Sequence, residues 1–396
     1  MKLDKSNPRH WWWLLRFGCC VLIARLLRPF FRRSREPSVV VLYGHRLTGN
    51  LLAIRRELAR GGAGDIDATY LTMDRDYAAV LEAAGEKVCR AGTYASLRLM
   101  LRARAIVSDH GLHVMVWLLG SGDLRFFDVW HGIPFKGFDG EDFRVQRRYD
   151  EAWVASPYHR ELYERKFDFQ PSRLRITGYA RTDELTGQPL DREALLREFG
   201  LERYRGRPLV LFAPTWKQDS GDRSLFPFDL SGQEFMQRLV EVCAAKDAVV
   251  LFRCHLNSDG TLDAMFAASD VVQVPFGRFP DTERLLQLAD VLICDWSSIA
   301  FDYLLLERPT IFLEVPPPFR KGFSLGPEHR FGAVVGDMPR LLDELALALA
   351  GGPAYMQEWL PAYRRERERI YGDFADGKSS ARCVDALREA LRKRGE

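Results

Sequence analysis

Apolar runs of four to seven residues recur along the chain, each followed by a polar turn. In the first half they fall at residues 38–43, 68–73, 87–90, 105–108, 126–130, 151–156 and 174–177. Runs of this length, rich in Val, Ile, Leu and Phe, predict strands buried on both faces. Between them, residues 77–84 and 94–103 carry apolar side chains at helical spacing. Alternation of strand and helix predicts a parallel sheet covered on both sides. A second series occupies 208–213, 247–253, 291–294 and 310–315, with a helix expected at 281–288. The pattern predicts an α/β protein with two Rossmann-like parallel-sheet domains.

The domain limits follow from the same pattern. Residues 38–185 form the first domain and 208–345 the second; 186–207, with Gly187, Pro189 and Gly206, read as the connection. Residues 346–396 are expected to be helices that pack back on the first domain. Residues 1–37 stand apart. Their apolar stretch opens with Trp11, Trp12 and Trp13 and is interrupted by Arg16, Arg25 and Arg28. A spanning helix needs about 20 mostly apolar residues, and charges at mid-bilayer are costly. Arg16 and Arg25 point in opposite directions, so a cleanly amphipathic helix is not expected either. A tryptophan-rich, arginine-flanked segment suits the headgroup region of an anionic leaflet, which predicts a membrane-associating helix on the inner leaflet of the cytoplasmic membrane. A helix docked on the protein is the plain alternative. The expected location is the cytoplasmic face, peripheral or monotopic.

Composition narrows the classes. The net charge is +3, yet the first 37 residues hold nine Lys/Arg against Asp4 and Glu36. The remainder is mildly acidic, which gives no support to a nucleic-acid partner. Seven cysteines are scattered without a Cys-x-x-Cys pair, so neither a disulfide framework nor a zinc site is indicated. The loop carboxylates Asp65, Asp67, Asp74 and Asp76 make a metal site only a minor reading, and no cofactor is called for.

Candidate chemistry sits at strand ends. Residues 290–315 read as strand, turn, helix, strand, with Asp295, Ser297 and Ser298 at the helix start and Asp302 in its first turn. A helix N-terminus with unpaired N–H groups cradles phosphate well, while serines there also serve as plain caps; both readings stand. Residues 247–253 end in Arg253, with His255 two positions on, a pair suited to a pyrophosphate. His131 follows another strand beside Gly132, where an imidazole of pKa about 6.5 suits general-base work. Arg181 either binds an anion or pairs with Asp183. The loop 44–50 lacks the Gly-Lys-Ser/Thr of a Walker sequence, although it too follows a strand.

Read together, Trp130-His131-Gly132-Ile133-Pro134-Phe135-Lys136, Gly178-Tyr179-Ala180-Arg181-Thr182-Asp183, Ala213-Pro214-Thr215-Trp216-Lys217, Arg253-Cys254-His255 and Asp295-Trp296-Ser297-Ser298 resemble, in this order, the motifs of the CDP-glycerol glycerophosphotransferases of teichoic-acid synthesis. The likeness spans roughly residues 38–385. It implies a GT-B fold, two sheets facing across a cleft, and transfer of glycerol phosphate from CDP-glycerol to a hydroxyl of a glycan or lipid-linked envelope acceptor. His131 is then the base. His255, Arg253, Ser297 and Ser298 hold the pyrophosphate, and Gly132, Lys136, Arg181, Asp183, Pro214, Thr215, Lys217, Asp295 and Asp302 complete the substrate site. Ile133, Phe135, Ala180, Thr182, Leu256 and Lys217 depart from the family pattern. With about 37 residues before the first sheet, a primase or short-chain transferase is expected over a long-chain polymerase. A nucleotide-sugar glycosyltransferase of the same fold and a catalytically degenerate membrane-bound scaffold are the alternatives.

Overall fold

A computed structural model of the chain describes residues 8–31, 37–61, 64–215, 226–253 and 271–392. Lys217 and His255 lie outside the described residues, as do Trp216 and Cys254. The chain forms two compact units, each discontinuous in sequence. One comprises the chain up to His131, Asp139–Asp183 and the stretch from Lys378 on; the other comprises Gly132–Phe138 and Glu184–Gly377.

The first unit is built on β1 (Ser38–Tyr43), β2 (Ile66–Thr72), β3 (Val88–Arg90), β4 (Ala105–Ser108), β5 (Arg125–Asp128), β6 (Glu151–Val154) and β7 (Leu174–Ile176). They pair in parallel in the order β3-β2-β1-β4-β5-β6-β7. Side chains alternate between faces. Val40, Leu42, Ala105, Val107 and Phe127 point to one side, where helix α2 (Gly49–Arg60) and the last helix (Ser379–Arg392) cover them. Val41, Tyr43, Ile106 and Phe126 point to the other. There they meet α1 (Pro8–Leu27) and the helix Tyr94–Arg102.

Helix α1 is docked on the first unit. Phe17, Val21 and Ala24 are fully buried. Arg28 is only 1% exposed; it donates to the Ala103 carbonyl at 3.0 Å and pairs with Asp123 at 3.3 Å. Arg25 reaches the Leu119 carbonyl at 3.3 Å. Only Arg28 is taken fully inward; the exposed side of the segment carries Trp11, Trp12, Leu15, Leu22, Leu26 and Phe30, with Arg9, Arg16 and Arg25 exposed among them. Among the described residues, no helix is long and apolar enough to cross a membrane.

The second unit holds β8 (Leu209–Ala213), β9 (Val249–Phe252), β10 (Val272–Gln273), β11 (Val291–Cys294), β12 (Thr310–Leu313) and β13 (Ala333–Val335) in the order β10-β9-β8-β11-β12-β13, again parallel. The edge strands β10 and β13 are too short to register as apolar runs. Residues 186–207, expected as a connection, contain the helix Arg192–Phe199, which buries Leu195, Leu196 and Phe199 and ties Arg192 to Asp290 at 2.8 Å. The C-terminal region divides. Met338–Tyr371, broken at Gly352 with φ of 43°, belongs to the second unit, and only the last helix returns to the first.

Candidate active site

Open parallel sheets bind ligands beyond the C-terminal strand ends, where the strand order reverses. In the first unit the reversal lies between β1 and β4. Tyr43, Ser108 and Asp128 stand in register at the ends of β1, β4 and β5. The residues that follow them, His45, Asp109, His110 and His131, are therefore delivered to one edge.

The turn that presents His131 is constrained. Trp130 has φ of 39°, a left-handed conformation that a bulky residue holds only when its surroundings enforce it. Its indole packs on Phe143 at 4.7 Å between ring centres. Its carbonyl accepts from Asn50 Nδ2 at 3.0 Å, and the same nitrogen donates to the Val129 carbonyl at 2.7 Å. Asn50 Oδ1 in turn accepts the Arg181 amide at 3.1 Å. One buried side chain thus joins the start of α2, the end of β5 and the 178–183 turn.

His131 Nδ1 lies 3.0 Å from the Asp109 carbonyl. A carbonyl only accepts, so this nitrogen carries the proton and Nε2 keeps its lone pair. His110 stacks on the ring at 4.2 Å and 9°, with its own Nδ1 2.7 Å from Asp109 Oδ1. Burial opposes protonation of His110, but the charge of Asp109 and its hydrogen bond together outweigh it and move the His110 pKa up. His131 moves the other way, well below the usual histidine range. Lost hydration leads, followed by the charge on His110, while the bond to the Asp109 carbonyl opposes and Arg181 and His45 add to the lowering. The ring is exposed, so retained water tempers the first cause and leaves the cationic neighbours as the firmer one. His45 is pushed down to about 4, by burial and then by His110 and His113. The outcome is a neutral His131 with its reactive nitrogen unspent at neutral pH.

Arg181 donates to the His131 carbonyl at 2.6 Å. Asp183 does something else. Its two oxygens accept the amides of Ser379 and Ser380 at 2.8 and 2.6 Å, capping the last helix with a negative charge at its positive end. The Arg181–Asp183 pair left open by the sequence is therefore not the use made of Asp183. Three of the four loop carboxylates are committed: Asp74 caps the helix Arg75–Ala83, Asp65 meets Arg388 at 3.0 Å, and Asp67 meets Lys87.

In the second unit the reversal lies between β8 and β11, with Ala213 and Cys294 in register. Asp295, 3% exposed, accepts from the Thr215 and Trp296 amides at 2.7 Å each and from the Thr215 hydroxyl. It fixes the turn after β8 and does not cap the following helix. Ser298 at the cap position makes no side-chain cap bond, and the helix Ile299–Leu304 is short. Ser297 and Ser298 are half-buried, and Asp302 and Pro214 are buried. Arg253 is 6% exposed. Its guanidinium donates to the carbonyls of Val274 and Phe279 at 3.3 and 3.0 Å and to Thr282 Oγ1 at 2.8 Å. These bonds make Arg253 a tie between β9 and residues 274–282.

Gly132–Phe138 is strapped into the second unit. Phe135 stacks on Phe301 at 4.5 Å. Gly137 donates to the Gly322 carbonyl at 2.8 Å, and Phe138 donates to Ser324 Oγ at 3.1 Å. Lys136 lies over the Phe138 ring at 4.9 Å. Gly137 belongs here because a Cβ would stand 2.4 Å from the Lys321 carbonyl oxygen.

Asn50, Asp109, His110 and His45 were not legible as site residues. The only signal was position: the loop 44–50 and residues 109–110 each follow an apolar run.

The CDP-Glycerol:Poly(glycerophosphate) glycerophosphotransferase family model matches residues 30–389. A teichoic acid glycerol-phosphate transferase of Staphylococcus aureus is 24% identical over 301 residues, covering 68% of this chain and 73% of that protein. A teichoic acid poly(glycerol phosphate) polymerase of Bacillus subtilis is 25% identical over 263 residues, and the match covers 61% of this chain but 34% of the polymerase. The chain thus spans about a third of that relative. Among solved structures, the wall teichoic acid polymerase TagF superposes with a TM-score of 0.76 at 18% identity, over 97% of this chain and 96% of that one. That likeness shows a shared GT-B fold.

Proposed function

We propose, from the premise that this chain belongs to the CDP-glycerol:poly(glycerophosphate) glycerophosphotransferase family, that it transfers glycerol phosphate from CDP-glycerol to a hydroxyl of a glycan or lipid-linked acceptor of the cell envelope. The observation that carries the mechanism is the bond from His131 Nδ1 to the Asp109 carbonyl. It leaves Nε2 to take the acceptor proton. The freed oxygen forms a bond to the phosphorus that bears glycerol, and the bond from that phosphorus to the CMP oxygen breaks. CMP departs with the electron pair. Such a transfer depends on positioning and on charge stabilisation.

The pyrophosphate is assigned to Ser297 and to Ser298, whose hydroxyl makes no cap bond, together with Lys217 and His255. Arg253, Thr215 and Asp295 act in this reading by holding the strand-end turns, and Gly132 and Lys136 by the strap they belong to. Arg181 and Asp183 position the His131 backbone and the last helix. The outward apolar side chains of α1, with tryptophans among them, seat the protein on the cytoplasmic leaflet.

His131→Gln is the test. Turnover of CDP-glycerol with an envelope acceptor should fall by about 10²–10⁴-fold, while binding of CDP-glycerol measured by calorimetry is retained. Unchanged turnover would remove His131 as the base. Binding of CDP-ribitol or a UDP-sugar in preference to CDP-glycerol would change the donor.

A further inference from the structure

A cavity of about 490 Å³ lies in the first unit, lined by Arg144, Arg147, Arg148 and Arg173 with Asp168 as its one carboxylate. It is remote from His131. Arg148 and Arg173 precede β6 and β7, and Leu119 and Gly120, also in the lining, precede β5. The cavity therefore opens at the N-terminal strand edge, whereas His131 follows the C-terminal end of β5. A strand of four residues separates these edges by about 13 Å.

The charges in the cavity are only partly spent. Arg147 approaches Asp168 at 3.5 Å, but its Nε is buried without a hydrogen-bond partner. Arg173 donates to the Tyr149 carbonyl. Arg144 and Arg148 are exposed, and their side chains have no partner among the described residues. Four guanidinium groups thus face one carboxylate in this lining. Planar forks of this kind bind phosphate oxygens bidentately.

We propose that this cavity binds the anionic phosphodiester of a membrane-lipid headgroup. The lipid source is favoured because α1 ends at the same rim: Arg25 donates to the Leu119 carbonyl at 3.3 Å, and Leu22, Leu26 and Phe30 are exposed on that segment. A headgroup in the cavity would leave its acyl chains beside these side chains. The inference rests on the membrane seat assigned to α1 above.

The test is co-sedimentation of the full chain with phosphatidylcholine or phosphatidylglycerol vesicles. The double variant Arg144→Gln/Arg148→Gln is compared with wild type and with Arg364→Gln/Arg365→Gln, which makes the same charge change on the other unit. The cavity variant should bind phosphatidylglycerol about 25-fold more weakly, from two charges at about fivefold each. Its binding to phosphatidylcholine and its melting midpoint should be unchanged. Equal losses in the cavity and control variants would reduce the effect to net charge and overturn the site. A lowered midpoint would contradict the unpartnered geometry. Wild-type binding to both lipids without preference overturns the cavity alone, and binding to neither overturns the seat of α1 as well. Saturable binding of glycerol 3-phosphate, lost in the cavity variant without any vesicle preference, would replace the lipid by a soluble phosphate ester.

Discussion

Replacing Asn50 by Asp exchanges one nitrogen for oxygen at almost constant volume, yet it reverses the polarity of two bonds. The Val129 and Trp130 carbonyls, at 2.7 and 3.0 Å from Nδ2, would face an acceptor in place of a donor. The bond from the Arg181 amide at 3.1 Å survives. The side chain is 3% exposed, so water cannot fill in. Each buried polar group left unmet costs about 1–3 kcal/mol, and Asn50→Asp should therefore lose about 2–6 kcal/mol at pH 7.5. The introduced carboxyl has its native pKa raised by burial and by the facing carbonyls. Its contribution to stability is fully present below the ordinary carboxyl pKa and is lost as pH rises through the raised native value. Urea denaturation should accordingly show a smaller deficit at pH 5 than at pH 7.5. Asn50→Ala should show a deficit of similar size with no such pH dependence. Turnover should fall as well, since Asn50 holds the Trp130 turn that presents His131, and a displacement of about 1 Å costs on the order of 10²-fold. Stability within about 0.5 kcal/mol of wild type at both pH values, with normal turnover, would refute the clamp.

Asp128, 1% exposed at the end of β5, has its pKa pushed well up by burial and then by Asp109. Stability from its proton is full below the ordinary carboxyl range and lost as pH rises, so Asp128→Asn should raise the melting midpoint at pH 8 and change little at pH 4. His110→Ala removes the ring stacked on His131 whose charge holds the His131 pKa down; the acid limb of kcat/KM should shift to higher pH, and an unmoved limb would remove His110 from the site's electrostatics. Asp183→Ala leaves two amides of the last helix without a cap, at a cost of about 1–3 kcal/mol. Hydrogen exchange should quicken over Ser379–Arg392, and unchanged protection there would contradict the cap.

The site was legible as far as strand ends are legible. His131, Thr215 and Asp295 each follow an apolar run, and they lie at or beside the two reversals of strand order. Their roles were less so. Asp295 and Ser298 are three residues apart and read as one helix start, yet Asp295 turns to Thr215 on another strand. Arg253 reads as a pyrophosphate ligand from its place at a strand end, and nothing local shows that its guanidinium also donates to the carbonyls of Val274 and Phe279. Asp183 and its partners Ser379 and Ser380 are nearly two hundred positions apart.

The sequence by itself determined that the chain makes two parallel sheets, because unbroken apolar runs are tolerated only in strands covered on both faces. It also determined that polar chemistry follows those runs. Strand order is a different kind of information. Only the crossovers set β1 beside β4 and β4 beside β5, and so stack His110 on His131 and hang both from Asp109. The same holds for the arginine cavity, assembled from residues 119–120, 144–148 and 168–173, and for α1. Nothing local shows that Ala103 and Asp123 receive Arg28, or that Leu119 receives Arg25. Periodicity encodes which face a residue takes; which elements meet that face depends on long-range packing, which a local pattern does not carry.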